Sequence, residues 1–240
     1  AMSKEIDYTK YAFRQIGEAD FEEFRAACSS SPKELTDFLN IGQYMETYTV
    51  IDHWNLFSQL LHCGEYDCYG LFEGRTLIGF ATVAPSRRSF GCQIVGWIRN
   101  GYHSMGLGKL FMYYLLRDSL GRKGFMFAEL IIDVENIPSI KVAEALGLYH
   151  IKEWEDLEHG QGSKRSGRYR LYMAIDHLIE LEAQELGVEP IDIIREIWLE
   201  EQLGIIQAIP RESPKWSLDP NRLRGTLRFI NWRKDSGKEE

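Results

Sequence analysis

Residues 92–148 read CQIVGWIRNGYHSMGLGKLFMYYLLRDSLGRKGFMFAELIIDVENIPSIKVAEALGL. Cys92 to Ile98 has the apolar, β-branched character of a strand. Leu107, Leu110, Phe111, Tyr114 and Leu115 recur at the spacing of one helix face, so an amphipathic helix is expected from about 107 to Gly121. Phe125 to Val134 is a second, strongly apolar strand. Pro138 to Leu146 is a short helix stopped by Gly147. Strand, glycine turn, helix, strand and helix in succession predict a mixed sheet with helical crossovers, an α/β fold.

The flanks extend this pattern. Residues 12–16 (AFRQI) predict a first strand, and Phe21, Phe24 and Cys28 a helix. Ser31-Pro32-Lys33-Glu34 is a capping box opening a second helix, with Leu35, Phe38 and Leu39 on its buried side. Trp54, Phe57, Leu60 and Leu61 predict a third. DCYGLFEGRTLIGFATVA (67–84) reads as a hairpin turning at Glu73-Gly74-Arg75. Leu148 to Trp154 and Arg168 to Ile175 are two late strands separated by a basic loop, HGQGSKRSGR. Residues 1–175 are therefore expected to form one domain. Residues 176–240 are expected to add an acidic helical extension, with helices at 176–186 and 190–203, and a tail with a late strand at Leu227 and Phe229.

The 240 residues are 44% hydrophobic and 27% charged, the balance of a folded globular chain. The longest apolar runs span a few residues, far short of the ~20 that cross a bilayer. The first residues, AMSKEIDYTKYAF, carry no apolar signal core. The four cysteines, Cys28, Cys63, Cys68 and Cys92, are too few for a disulfide framework. A cytoplasmic protein with reduced thiols and no metal is expected. Cys63 and Cys68, near His53 and His62, are spaced too widely for a zinc knuckle and read as small buried hydrophobes. The lone histidines, His150, His159 and His177 included, read as structural or surface groups.

Net charge is −8, from 28 basic and 36 acidic residues, which argues against nucleic acid and for a cationic partner. The excess is local. Between 176 and 210 nine acidic residues face Arg195 alone.

Gly106 and Gly108 stand where the amphipathic helix begins. A helix start presents unpaired backbone N–H groups and the positive end of the dipole, which suits phosphate. Lys109 and Arg99 add charge nearby. By itself a Gly-x-Gly of this kind equally fits an ordinary strand-to-helix turn. Glu129 and Asp133 share one face of the following strand, with Glu135 just beyond. A carboxylate set in an apolar strand takes up a proton more readily than one in water. Glu129 is accordingly the first candidate for a general base, against the plainer reading of a solvated or ion-paired side chain. Arg87, Arg88, Lys164, Arg165 and Arg168 lie in expected loops.

Two stretches, His103-Ser104-Met105-Gly106-Leu107-Gly108 and Asn136-Ile137-Pro138-Ser139 with its closing Leu146-Gly147-Leu148, resemble the GNAT superfamily of acyl-CoA-dependent N-acetyltransferases. The first matches Arg/Gln-x-x-Gly-x-Gly/Ala after the fourth strand of that family, and the second its Asn-x-x-Ser/Ala, helix and Leu-Gly-Phe. Asp133-Val134-Glu135-Asn136 ahead of Ser139 is similar to the ribosomal-protein N-terminal acetyltransferase type. The likeness spans about residues 12–175. It implies a GNAT-like fold with acetyl-CoA as co-substrate. The diphosphate would be held by backbone amides from Met105 through Gly106, Leu107 and Gly108 to Lys109, alongside His103 and Ser104. The strand Val95 to Ile98 would splay from Leu130 to Val134 and admit the pantetheine. That arm would pair with the backbone of Trp97, Ile98 and Arg99 and with Asn136 and Ser139. A backbone N–H near Ile98 would polarise the thioester carbonyl.

The sequence departs from the family at two points. His103 replaces the usual Arg or Gln, and Ala143 stands where many members carry a tyrosine acid. Ser139, Tyr149 or solvent is then left to protonate the thiolate. The acceptor implied is a cationic small amine or a protein N-terminus. The alternatives are a non-catalytic binding or assembly module and a relative acting on nucleic acid. Residues 169–202 are also similar to a ribbon-helix-helix module. The acidic surroundings favour instead an amphipathic helical hairpin, packed on the domain or on a second copy as a homodimer.

Overall fold

In the computed structural model, residues 7–32, 35, 48–88, 90–155 and 167–202 are described. Seven strands form one sheet in the order β1-β2-β3-β4-β5-β7-β6: β1 Tyr11–Gln15, β2 Asp67–Glu73, β3 Thr76–Pro85, β4 Gly91–Ile98, β5 Phe127–Asp133, β6 Tyr149–Glu155 and β7 Arg168–Ile175. All neighbours are antiparallel except β4 and β5. Among the described residues the longer helices are α1 Phe21–Ser29, α2 Val50–His62, α3 Leu107–Leu116, α4 Ile137–Ala145, α5 His177–Leu186 and α6 Pro190–Gln202. None of the described helices is long and apolar enough to cross a membrane.

The elements follow the expected order, with shifted ends. The first strand begins one residue earlier than read, and α4 runs 137–145 rather than 138–146. The amphipathic helix ends as α-helix at Leu116 and continues to Arg122 as a π-helical turn. That turn buries Asp118, which accepts a 2.6 Å hydrogen bond from the Tyr69 hydroxyl and pairs with Arg122. α2 starts with a reciprocal cap between Thr49 and Asp52 that the sequence reading did not single out. The remainder of the helix expected from Ser31, most of the basic loop, and the expected late strand lie outside the described residues.

Side chains alternate across the sheet, so the central strands feed two cores. One face packs Cys92, Ile94, Ala128, Leu130, Ile132 and Tyr172 against α3 and α4. The opposite face is covered in two parts. α1 and α2 cover Phe72, Phe80 and Trp97. α5 and α6 cover Phe127, Met173 and Ile175. The acidic hairpin thus seats on the sheet itself. β7 has strands on both sides, so it is not available as a ribbon for a DNA groove.

Candidate active site

The β4–β5 ladder has three rungs, Gly91–Phe127, Cys92–Ala128 and Gln93–Glu129, and then stops. β4 runs on to Ile98 beside β3, and β5 runs on to Asp133 beside β7. A wedge therefore opens between Ile94–Ile98 and Leu130–Asp133. This is the splay that the resemblance implied. Backbone groups alternate in direction along a strand. The Arg99 N–H bonds the Ile78 carbonyl of β3 and the Ser86 N–H bonds the Gly91 carbonyl, so odd-numbered residues of β4 turn to β3. Gly96 and Ile98 then turn to the wedge. Of the three residues expected to pair with a pantetheine, Ile98 has its amide there, while Trp97 and Arg99 turn away.

The wedge opens at the carboxyl ends of two parallel strands, where α3 and α4 begin. Gly106 is the N-cap of α3 at φ +78°, and Ser104 is left-handed at φ +60°. No side chain caps α3, so the amides of Leu107, Gly108 and Lys109 have no side-chain acceptor within the cap. Residues 103–106 and Lys109 are exposed. At the head of α4 the Asn136 Oδ1 accepts a 3.2 Å hydrogen bond from the Ser139 N–H. Its NH2 end takes no part in that bond. Gly108 packs between the helices, with Val142 and Ile98 nearest to it. The two family-like stretches thus meet at one end of the wedge.

Other expected residues are placed less simply. The His103 Nε2 lies 2.9 Å from the Ile98 carbonyl, on the wedge edge of β4. The Arg99 guanidinium turns towards α1, where it bonds Ser30 at 2.9 Å and lies 3.7 Å from Glu23. It adds no charge at the α3 terminus. Ala143 is fully buried against α3. Tyr149 sits on β6, two strands from the wedge. Its hydroxyl bonds Glu180 at 3.1 Å, and burial with the Glu180 charge holds its proton more tightly than usual.

Glu129 and Asp133 do share one face of β5, the one opposite α3, and both are buried. The Asp133 Oδ1 accepts from the Glu135 N–H at 2.8 Å and shapes the turn into α4. Glu129 lies on the last rung, at the apex of the wedge. The Ser86 hydroxyl donates to its Oε2, and Arg88 Nη1 lies 2.7 Å from Oε1. The Arg88 guanidinium also stacks over the Trp198 ring of α6, 4.7 Å from its centroid. One level beyond the rung, Val95 and Ile131 face each other across the wedge, exposed between the two helical covers. The sequence reading placed Arg88 in a loop but had no signal for its partners, which are 41 and 110 residues away.

The Acetyltransferase (GNAT) domain family matches residues 11–149. Among solved structures, the ribosomal L7/L12 α-N-protein acetyltransferase in complex with coenzyme A aligns with a TM-score of 0.59 at 16% identity, covering 70% of this chain and 95% of that one. The spermidine N-acetyltransferase from Vibrio cholerae, in complex with CoA and spermine, aligns at 0.58 and 11% identity, covering 70% and 96%. The ribosomal-protein-S5-alanine acetyltransferase from Vibrio fischeri aligns at 0.57 and 13% identity, covering 74% and 98%. A search of curated protein sequences finds no significant match. At these identities the structures speak for the fold, and the family match over more than half of the sequence decides membership: the chain belongs to the GNAT acetyltransferases.

Proposed function

We propose that this enzyme moves an acetyl group from acetyl-CoA directly to a primary amine, either a small cationic amine or a protein N-terminus. One observation carries the reading: the β4–β5 ladder breaks at Gln93–Glu129, with the uncapped start of α3 at the open end of the break. The residues there fit the co-substrate. The amides at 107–109, reached past left-handed Ser104 and Gly106, suit a diphosphate. The NH2 of Asn136 suits the amide-bearing arm, which leaves the N–H of Ile98 for the thioester.

Acetyl-CoA supplies an activated thioester. The chain supplies position and polarity. The Ile98 N–H, turned into the wedge, is the donor that would stabilise charge on the acyl oxygen. Val95 and Ile131 give the acceptor an apolar floor that excludes water. Glu129 at the apex is the carboxylate for the acceptor nitrogen and takes its proton. Ser139, in the first turn of α4, is the hydroxyl assigned to return a proton to the thiolate, with solvent as the other source. Tyr149, on the far strand β6, is tied to Glu180 of α5 and is given no step.

Structural neighbours whose names specify spermidine or ribosomal-protein termini support an amine acceptor. The test is turnover of acetyl-CoA against a mixed pool of polyamines and peptides, read by mass spectrometry. A mass gain of one acetyl group on an amine supports the proposal, and calorimetry showing no acetyl-CoA binding at millimolar ligand rejects it. The buried Ala143 favours one other reading, a module that binds CoA without turnover. Binding with no acetylated product across the whole pool would establish that reading instead.

A further inference from the structure

Glu129 stands on a strand face whose neighbours Phe127 and Ile131 are apolar. An ion pair at such a position is a poor source of stability, because desolvating a carboxylate offsets most of the attraction. What distinguishes this pair is its layering. The Glu129 side chain is 10% exposed and that of Arg88 is 36% exposed, so the arginine is the outer member of the pair. It covers the acid at the apex of the wedge, on the face open between the two helical covers.

We propose that Glu129 and Ser86 form the subsite for a primary alkylammonium group, and that Arg88 is its resident occupant, displaced when the acceptor arrives. The proposal rests on the acyl-transfer reading above and names the acceptor class for that site. Three features support it. The subsite persists without its occupant, since the Ser86 hydroxyl donates to Glu129 and accepts from the Arg88 N–H at 3.1 Å, which fixes the loop backbone independently of the arginine side chain. Arg88 belongs to the β3–β4 loop rather than to a strand, so its side chain can move without breaking a ladder. It also has somewhere to go: the Trp198 ring already takes the guanidinium face, and Trp198 is held edge-on by Phe127 at 5.4 Å. An incoming ammonium exchanges one cation for another on Glu129, and the displaced one stays over an aromatic ring. A neutral acceptor gains nothing from this exchange. The site therefore selects a charged amine before the chemistry begins.

The experiment is calorimetry on the full chain at low ionic strength. Coenzyme A is titrated first and 1,4-diaminobutane second, into the wild type, Arg88→Gln, Arg88→Lys, Glu129→Gln and the double variant Arg88→Gln/Glu129→Gln. Arg88→Gln is expected to bind the diamine at least tenfold more tightly than the wild type, with Arg88→Lys in between. Glu129→Gln is expected to lose the diamine in both backgrounds. Melting curves show that each variant is folded, and Arg88→Lys, which keeps the charge, serves if Arg88→Gln unfolds. Diamine affinity unchanged or weakened in the folded arginine variants overturns the proposal, as does undiminished affinity in Glu129→Gln. A wild type that fails to bind coenzyme A counts against the acyl-transfer reading alone. The diamine series, run without coenzyme A, still reports the exchange.

Discussion

Gly106 holds φ at +78°, where an L side chain meets its own carbonyl. Gly108 has ordinary backbone angles, and a Cβ there would lie 3.6 Å from Val142 and 3.8 Å from Ile98, in normal contact. The two glycines therefore make different predictions. Gly106→Val costs about 1–2 kcal/mol of backbone strain and distorts the cap. Both the melting temperature and the coenzyme A affinity should fall, the affinity at least tenfold by calorimetry. On the reading that glycine there serves the ligand's approach rather than the fold, Gly108→Ala should not lower the melting temperature and should weaken only coenzyme A. Equal melting losses in both variants would refute the distinction. The cysteines allow a second check at this scale. Burial pushes the Cys28, Cys68 and Cys92 thiols up to about 12, while Cys63 is exposed. Because the thiolate is the nucleophile, raising its proton affinity removes reactivity below that pH. Iodoacetamide at pH 8 should modify the native protein once, at Cys63, as read by peptide mass spectrometry.

The short β4–β5 ladder is the element on which the site depends, and Gly91 sets its closed end. A Cβ on Gly91 would fall 2.1 Å from two atoms of the Phe127 ring, which is fully buried under α6 and cannot give way. Gly91→Ala should wedge the first rung apart. Overpacking of this kind costs about 1–3 kcal/mol, or roughly 2–4 °C of melting temperature per kcal/mol in a domain this size. A thermal melt indistinguishable from wild type would show that the rung tolerates the methyl. Much of this element scale is legible in the sequence because it is local. The 3.6-residue spacing of Leu107, Leu110 and Phe111 gives α3, and Pro138 and Gly147 bracket α4 to within one residue at each end. What escapes is set by contacts between distant segments. Nothing near Arg117–Arg122 announces a π-helical turn. It forms where Asp118 meets Tyr69, 49 residues away. The wedge is not written in either strand, since Ile94–Ile98 and Leu130–Asp133 look like ordinary paired strands, and only the resemblance pointed to it. For the same reason Glu129 could be placed on a face, but its partners Ser86 and Arg88 could not be assigned.

At the scale of the molecule, one sheet face is a continuous core and the other is divided between two helical covers, with the candidate acceptor opening between them. This makes the acidic hairpin part of the site's wall. Ile179, Ala183, Ile193, Ile194 and Ile197 are buried against Phe127, Met173 and Ile175, and Trp198 reaches Arg88 beside Glu129. Each large apolar side chain so buried contributes about 1.5–3 kcal/mol, and a whole domain has only about 5–15 kcal/mol of net stability. Removing the hairpin uncovers three such side chains on the sheet alone, and leaves Arg88 without its ring. A chain ending after Ile175 is therefore expected to aggregate or melt far below one ending after Gln202, and to bind the hydrophobic dye ANS when soluble. If the shorter chain matches the longer one in melting temperature and in coenzyme A affinity, the hairpin is a removable attachment. If only the longer chain stays folded, the acetyltransferase unit extends through α6, and its C-terminal helices belong to the machinery that positions Arg88.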